Sequence, residues 1–201
     1  VQTILKEVES HGDKALIKYT KEFDKIELKI DELLLNEEIR NSFKNKINKE
    51  VFSSFKKAIH NVKMFHELQK PNDYEISDNG VKLESRWNAL DSVGLYVPGG
   101  RAVYPSSLIM NVVPAKVAGV KRIVCVTPPS KFLNPYILGL LNEFEIQEVY
   151  QVGGAQAIGA LAYGTQTIKP VNKIFGPGNT YVTAAKKQVF GKVGIDLIAG
   201  P

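Results

Sequence analysis

Cysteine is nearly absent from this sequence of 201 residues, in which Cys125 is the single copy. One cysteine excludes an internal disulfide framework and is typical of a protein in a reducing compartment. Long apolar runs are also missing, because none approaches the ~18–20 residues that a membrane-spanning helix requires. No basic segment followed by an apolar one opens the chain, as a secretory leader would. These absences predict a cytoplasmic protein without a membrane partner.

Histidine is also scarce, and its three copies are His11, His60 and His66. His60 and His66 lie six residues apart in a predicted helix, which at ~3.6 residues per turn directs them to different faces. Zinc needs about four well-placed ligands, and no local motif supplies them. Cys125 lies in an apolar strand, where a thiol is usually inert. The sequence therefore shows no metal site and no catalytic triad or dyad.

Positive charge is concentrated in one half of the chain. Residues 1–95 contain 16 basic and 17 acidic side chains, whereas residues 96–201 contain 10 basic and 4 acidic ones, a net charge of +6. Such an excess suits an anionic small ligand, and equally a nucleic-acid surface. The charge alone leaves three classes open: an enzyme with an anionic cofactor, a nucleic-acid-binding module, and an enzyme acting on phosphate esters.

The first half of the sequence predicts helices followed by a hairpin. An apolar helical period over residues 1–19 is interrupted at Gly12, after which Asp13 resembles the N-cap of a second short helix. A long helix is predicted over residues 49–69, just before Pro71. Two strand-like runs then flank Asp78-Asn79-Gly80, a turn signal typical of β-hairpins. We expect residues 1–95 to be an incomplete part of a first domain.

From Ser92 onward, predicted strands and helices alternate regularly. The strands cover residues 92–97, 122–126, 148–152, 173–175 and 195–198, and the helices cover 106–118, 134–144, 155–163 and 180–189. Alternation of this kind indicates a parallel sheet with helices on both faces. Pro114 predicts a kink or break in the first of these helices. The fold class is therefore α/β, with a Rossmann-like parallel-sheet domain over residues 96–201 after a mainly helical segment with a hairpin.

Glycines mark three of the passages from a strand to the next helix. They occur at Gly99-Gly100, at Gly153-Gly154 and in Gly176-Pro177-Gly178. In a parallel sheet these loops lie at the carboxyl edge, where helix N-termini and bare backbone can bind an anion. The standard fingerprint G-x-G-x-x-G does not follow the first strand. Any dinucleotide binding here is therefore of a different kind.

Three polar side chains accompany these loops, and each has two interpretations. Tyr96 ends the first strand, where its ring can stack on a ligand or be a partly buried strand residue. Gln156 stands in a first helical turn, where its amide can contact a ribose or phosphate or make a local capping contact. Asn179 is a strong N-cap candidate, although an N-cap can face a ligand as well.

Four phrases in this sequence resemble the histidinol dehydrogenase family. They are HGDKALIKYTKEFD at residues 11–24, VGLYVPGG at 93–100, VGGAQAIGALAYGT at 152–165 and IFGPGNTYV at 174–182. They occur in the family's order and span the chain, which makes coincidence very improbable. The family also lacks the standard dinucleotide fingerprint at this place.

This resemblance implies an NAD-dependent, two-step oxidation of L-histidinol to L-histidine, with a zinc ion and a homodimer. It implies that Tyr96, Gln156 and Asn179 contact NAD. The family's catalytic Glu-His pair, zinc ligands and substrate-binding serine would follow residue 201. The sequence then predicts an internal piece of a longer enzyme, with no catalytic or metal residue of its own, no dehydrogenase activity alone and no nucleic-acid partner.

Overall fold

The N-terminal segment is mainly helical and ends in a hairpin, as predicted. A computed structural model describes residues 1–99, 104–130 and 133–198. The first elements are α1 (Gln2–His11), α2 (Asp13–Tyr19), a π-helical turn (Thr20–Asp24), a 3₁₀ turn (Ile30–Glu32), α3 (Glu37–Asn41), α4 (Lys49–Leu68), β1 (Tyr74–Asp78) and β2 (Val81–Ser85). Strands β1 and β2 pair antiparallel around Asn79 and Gly80, which both have positive φ. Positive φ at both turn residues is what a tight two-residue hairpin turn requires.

The remaining elements form a doubly wound α/β unit. They are β3 (Ser92–Tyr96), α5 (Pro105–Ala118), β4 (Arg122–Thr127), α6 (Pro135–Glu143), β5 (Glu148–Gln151), α7 (Gly154–Tyr163), β6 (Lys173–Phe175), α8 (Thr180–Val189) and β7 (Gly194–Ile195). The strands are parallel and lie in the order β5-β4-β3-β6-β7. The predicted α/β, Rossmann-like fold class is confirmed. The strand order reverses between β3 and β6, and open sheets of this type bind ligands at that crevice.

Helix boundaries follow local capping chemistry. Asn36, Asn48, Asn134 and Asn179 are the N-caps of α3, α4, α6 and α8, and each side-chain oxygen accepts a backbone N–H of the first turn. Asparagine is among the best N-caps because its short amide satisfies donors that have no helical partner. Gly119 ends α5 in the left-handed conformation. These signals are local, and sequence patterns therefore locate most of the boundaries.

Apolar residues cover both faces of the sheet. One core cluster contains residues of α1, α2, α7 and α8, and the other contains residues of α5 and α6 with partly buried side chains of α4 packed against it. On the first face α1 packs on α7 at Gly159, where an added Cβ would lie 3.2 Å from Val8 and from Leu5. The chain also adds an antiparallel bridge at the outer edge of β5, between Leu34 and Tyr150. The N-terminal helices are thus built onto the sheet domain.

Three local expectations need correction. Asp13 is not an N-cap: Gly12 takes that place, and Asp13 is the first residue of α2, buried, with its Oδ1 accepting the Thr167 hydroxyl at 3.0 Å. Strand β7 is shorter than predicted, because the Leu197 N–H donates to the Asp196 carboxylate at 2.7 Å instead of continuing the ladder. Pro114 does not break α5, which runs on to Ala118, and the alternative of a kink stays a prediction.

No helix in the described ranges is both long and apolar enough to cross a membrane.

Candidate functional site

A cavity lies at the carboxyl edge of the sheet, at the crevice between β3 and β6. Its volume is about 630 Å³, within the ~300–1,000 Å³ typical of small-molecule and cofactor sites. Its wall is formed by Asp24, Tyr96, Pro98, Gly99, Tyr104, Ser107, Pro128, Pro129, Ser130, Pro177, Gly178 and Asn179. The residues come from the ends of β3, β4 and β6, from the start of α5 and from the π-helical turn. The site therefore occupies the place that the sheet topology favours for a ligand.

Tyr96 joins two of the loops around this cavity. Its side chain is buried at the end of β3, and its hydroxyl accepts a hydrogen bond from the Gly154 N–H at 3.2 Å. Burial raises the pKa of the Tyr96 phenol, while the Gly154 hydrogen bond acts in the opposite direction. The phenol thus stays protonated and keeps one O–H to donate. Tyr96 is thus a buried strand residue that also lines the cavity, and its contact with a ligand stays a prediction.

Gln156 lies in the first turn of α7 and is not on the cavity wall. The residue is 1% exposed, and its Oε1 has no hydrogen-bond partner in the part of the chain that the structure describes. The oxygen turns back toward Gly154, where an added Cβ would lie 2.7 Å from it. Gly154 also has φ of 62°, which favours glycine. A buried amide oxygen without a partner is costly, and the contact of Gln156 with a ligand stays a prediction.

Asn179 is the N-cap of α8 and also lines the cavity. Its Oδ1 accepts the N–H groups of Tyr181 at 3.0 Å and Val182 at 3.1 Å. The carboxamide oxygen is therefore already used by the helix, and the side-chain NH₂ is the group that is left to donate. The capping interpretation is confirmed, and it coexists with a position on the cavity wall.

Asp24 is a site residue that the sequence analysis did not single out. It ends the π-helical turn, a form often found at functional sites, and it lines the cavity together with Tyr96. Its Oδ2 is buried and has no hydrogen-bond partner among the described residues, and burial raises the pKa of its carboxyl. Asp24 closes the phrase at residues 11–24, but nothing in the local pattern indicates that this segment reaches the sheet edge.

The loop after β6 is pressed against the end of β3. Gly176 has φ of 108°, and a Cβ added there would lie 2.3 Å from the carbonyl oxygen of Tyr96. Only glycine permits both the backbone conformation and the close approach. The close approach brings Gly178 and Asn179, which follow Gly176, to the cavity beside Tyr96.

The arrangement suits binding of a polar ligand more than bond-breaking. The N-terminus of α8 begins at the cavity wall, where the helix dipole and the first-turn N–H groups that Asn179 does not cap favour anions. Cys125 is buried, and burial raises the pKa of its thiol to about 12, so it is not a nucleophile. No group of three or more His, Cys, Asp or Glu side chains within the described ranges is placed to hold a metal ion.

Comparison with known proteins identifies the family. The family model for histidinol dehydrogenase matches residues 1–201. Histidinol dehydrogenases from Gluconobacter oxydans and Clostridium acetobutylicum are 47% and 50% identical to this chain, over all of it and 47% of their own length. The crystal structure of histidinol dehydrogenase from Elizabethkingia anophelis superposes with a TM-score of 0.94 at 39% identity, over all of this chain and 47% of that one. The chain thus spans about half the length of the relatives it matches, and it belongs to the histidinol dehydrogenase family.

Proposed function

We propose that this chain is the NAD-binding part of a histidinol dehydrogenase, which oxidises L-histidinol to L-histidine in two steps. The observation that carries the proposal is the cavity at the β3–β6 crevice, where Tyr96, Asn179 and glycine-rich backbone converge. Its position is the one at which doubly wound sheets bind dinucleotides. Family membership over the whole chain supports the same assignment.

The residues present fit NAD in their chemistry. The start of α8 and the glycine backbone would hold the anionic diphosphate, and the Tyr96 phenol and Asn179 amide would donate hydrogen bonds. Gln156 carries a buried oxygen without a described partner, which suits a ligand donor. NAD, when bound, supplies a hydride acceptor for the oxidation of the alcohol and then of the aldehyde. The chain's own residues bind and orient it.

Asp24 completes this assignment by supplying an acceptor for hydroxyl groups. In the standard dinucleotide fold an acidic residue that binds a ribose hydroxyl follows the second strand. Here that strand is β4, and Pro128, Pro129 and Ser130 follow it without an acid. The unpartnered Oδ2 of Asp24 lies at the same cavity. We therefore assign to Asp24 the role of a ribose-hydroxyl acceptor supplied from the N-terminal segment.

Catalytic and zinc-binding residues are proposed to lie outside this chain. The acidic side chains of residues 96–201 are Glu143, Glu145, Glu148 and Asp196, and none of the four is on the cavity wall. Asp24, the acid that does line the cavity, is assigned to a ribose hydroxyl and not to the reacting proton. A base must come within roughly 2.6–3.2 Å of the proton that it removes, or act through one water. We propose that zinc, the base and the L-histidinol site belong to the remaining half of the enzyme.

Exposed apolar residues support a proposed homodimer. Ile76 and Leu83 face each other across the hairpin and are 57% and 62% exposed. Patches of this kind usually mark interaction sites. We propose that a second subunit or later chain covers these two residues. We also propose that the enzyme is cytoplasmic, and that residues 1–95 and residues 96–201 belong to two different domains. Sedimentation velocity of the full-length protein tests the dimer, with Ile76→Lys against the control Ser77→Lys on the opposite hairpin face. A monomeric wild type would contradict the proposal.

Two other functions would also use the positive charge of residues 96–201. A nucleic-acid-binding module would use exposed lysines such as Lys121, Lys169 and Lys187, although Arg122 pairs with Glu148 and Lys186 pairs with Asp196. An enzyme acting on phosphate esters would use the same glycine loops without a dinucleotide. Calorimetric titration of the full-length protein with NAD and with single-stranded DNA, at low and high salt, separates these functions. We expect NAD to bind at both salt concentrations, whereas binding that collapses with salt and favours DNA would contradict the assignment.

A further inference from the structure

Gly176 is held on both of its backbone polar groups by one ion pair, in which the lysine is buried and the aspartate is partly exposed. Lys186, which is 4% exposed, donates from Nζ to the Gly176 carbonyl oxygen at 3.1 Å and is paired with Asp196 Oδ1. The other oxygen of Asp196, Oδ2, accepts the Gly176 N–H at 2.9 Å. Two side chains from different elements thus meet at a single glycine.

The Lys186–Asp196 pair holds the loop at the cavity from two sides. Lys186 lies in α8, whose N-cap is Asn179, so the same helix carries the cavity residue and the buried cation. Its ammonium reaches back across ten residues to the start of the loop. Asp196 follows β7, which pairs with β6, and therefore approaches Gly176 from the sheet. The path from Gly176 to Asn179 is fixed at both ends.

A stabilising role alone explains this arrangement poorly. Taking a lysine fully and an aspartate partly out of water is costly, and apolar replacements of buried ion pairs are often as stable or more so. Hydrogen bonds to charged groups are, however, shorter and stronger than neutral ones. Gly176 needs such control, because its φ of 108° and its contact with Tyr96 leave little tolerance.

We propose that Lys186 and Asp196 are positioning residues, which set the Gly176–Asn179 loop in the conformation that binds the cofactor. The inference rests on the proposed function, since the ligand of the loop is taken to be NAD. Neither side chain lines the cavity, so the pair acts through the backbone of Gly176 and through Asn179. Removing it should loosen the loop and weaken NAD binding while leaving the sheet intact.

The test uses two variants of the full-length protein. Lys186→Met leaves the partly buried Asp196 without its cation and will destabilise the fold. The double variant Lys186→Met with Asp196→Asn removes both charges and should recover most of that stability. The matched control is Lys187→Met, because the neighbouring Lys187 is exposed. Calorimetry gives the Kd for NAD, and thermal melting with and without NAD gives stability and its ligand-dependent increase.

We expect the Kd for NAD to rise on the order of tenfold in the double variant, as when groups that orient ligand contacts are removed. Its melting temperature without NAD should stay close to that of the wild type, and Lys187→Met should change neither value. A double variant with wild-type affinity would overturn the inference. An affinity that falls only in proportion to lost stability, and returns when the fold is stabilised, would also overturn it.

The same experiment separates this inference from the proposed function. If wild-type protein binds NAD and Asn179→Ala weakens it, but the double variant does not, the positioning role alone is wrong. If wild-type protein does not bind NAD, the proposed function fails first. In that case the melting data still report how the pair affects the fold.

Discussion

The Tyr96 hydroxyl accepts a hydrogen bond from the Gly154 N–H at 3.2 Å, which ties the end of β3 to the first turn of α7. Gly154 also lies beside Gln156, because a Cβ added at Gly154 would be 2.7 Å from the Gln156 Oε1. Two of the three predicted cofactor residues are therefore connected through one glycine. The third, Asn179, follows a different loop and lines the cavity that Tyr96 also lines.

Tyr96→Phe should weaken NAD binding while the ring stays packed. The substitution removes a hydroxyl that meets both Gly154 and the cavity, and it leaves the Gly154 N–H without its acceptor. We expect a loss of about 1 kcal/mol in the free energy of unfolding and a several-fold higher Kd for NAD. Denaturant melts and calorimetry on the full-length protein measure both.

Tyr150→Phe is the matched control for that substitution. Tyr150 is also buried, and its hydroxyl donates to the Thr167 carbonyl at 3.0 Å, away from the cavity. It should lose similar stability without changing the Kd for NAD. Equal effects of the two substitutions on NAD binding would show that Tyr96 acts only through stability.

Gln156→Leu should separate cofactor binding from stability. Leucine keeps most of the buried volume, and it removes an amide oxygen that finds no partner among the described residues. Since an unsatisfied buried acceptor costs ~1–3 kcal/mol, the protein without NAD should be at least as stable as the wild type. NAD binding should weaken by ~0.5–1.5 kcal/mol for each hydrogen bond lost.

Gln151→Leu is the corresponding control. Gln151 is 8% exposed, and its amide donates to the Glu32 carbonyl at 3.1 Å. This substitution should lower stability and leave NAD binding unchanged. An unchanged Michaelis constant for NAD in Gln156→Leu would remove Gln156 from the cofactor site.

Asp24→Asn should change the pH dependence of stability. Burial raises the pKa of Asp24 in the folded protein, so the folded state holds this proton more tightly than the unfolded state does. The resulting stability is present below the unfolded pKa and is lost as pH rises through the folded pKa. Asparagine cannot ionise, so the variant should be more stable than the wild type near neutral pH.

The advantage of Asp24→Asn should disappear as the pH falls below the raised pKa. It should be small, because the carboxyl is partly exposed to solvent. Urea denaturation near neutral pH and in acid measures it, and Asp31→Asn at an exposed position is the control. A variant that is less stable than the wild type near neutral pH would contradict a raised pKa at Asp24.

The 201-residue chain alone should show no dehydrogenase activity and no tight zinc binding. Zinc needs about four placed ligands, and no such group is formed within the described residues. Under the proposed function, cofactor binding and chemistry would then lie in different halves of the enzyme. In the test, the purified chain is supplied with L-histidinol, NAD and zinc, and NADH formation and zinc retention are measured. NADH formed near the rate of the full-length enzyme, or stoichiometric zinc retained through dialysis, would contradict the expectation.

Local signals made much of the fold predictable. Strand β6 and helix α8 have the predicted bounds, Lys173–Phe175 and Thr180–Val189, because glycine, proline and the Asn179 cap define them. The hairpin was equally clear from Asn79-Gly80. The order of strands was not predictable, since pairing between distant strands leaves no local pattern.

The site was predictable only where residues lie beside glycine loops. Tyr96 and Asn179 met that condition. Asp24 did not, because its approach to the cavity depends on how the N-terminal helices pack on α7. Lys186 stands in Ala-Ala-Lys-Lys, which is typical of a solvated helix face, and its burial depends on Asp196 from another element.

A crystal structure of the full-length protein with NAD tests the central claim most directly. The account predicts NAD in the cavity at the β3–β6 crevice, in contact with Tyr96 and Asn179, and a hydrogen bond from the cofactor or an ordered water to Oε1 of Gln156. NAD bound elsewhere, with this cavity holding only solvent, would contradict it.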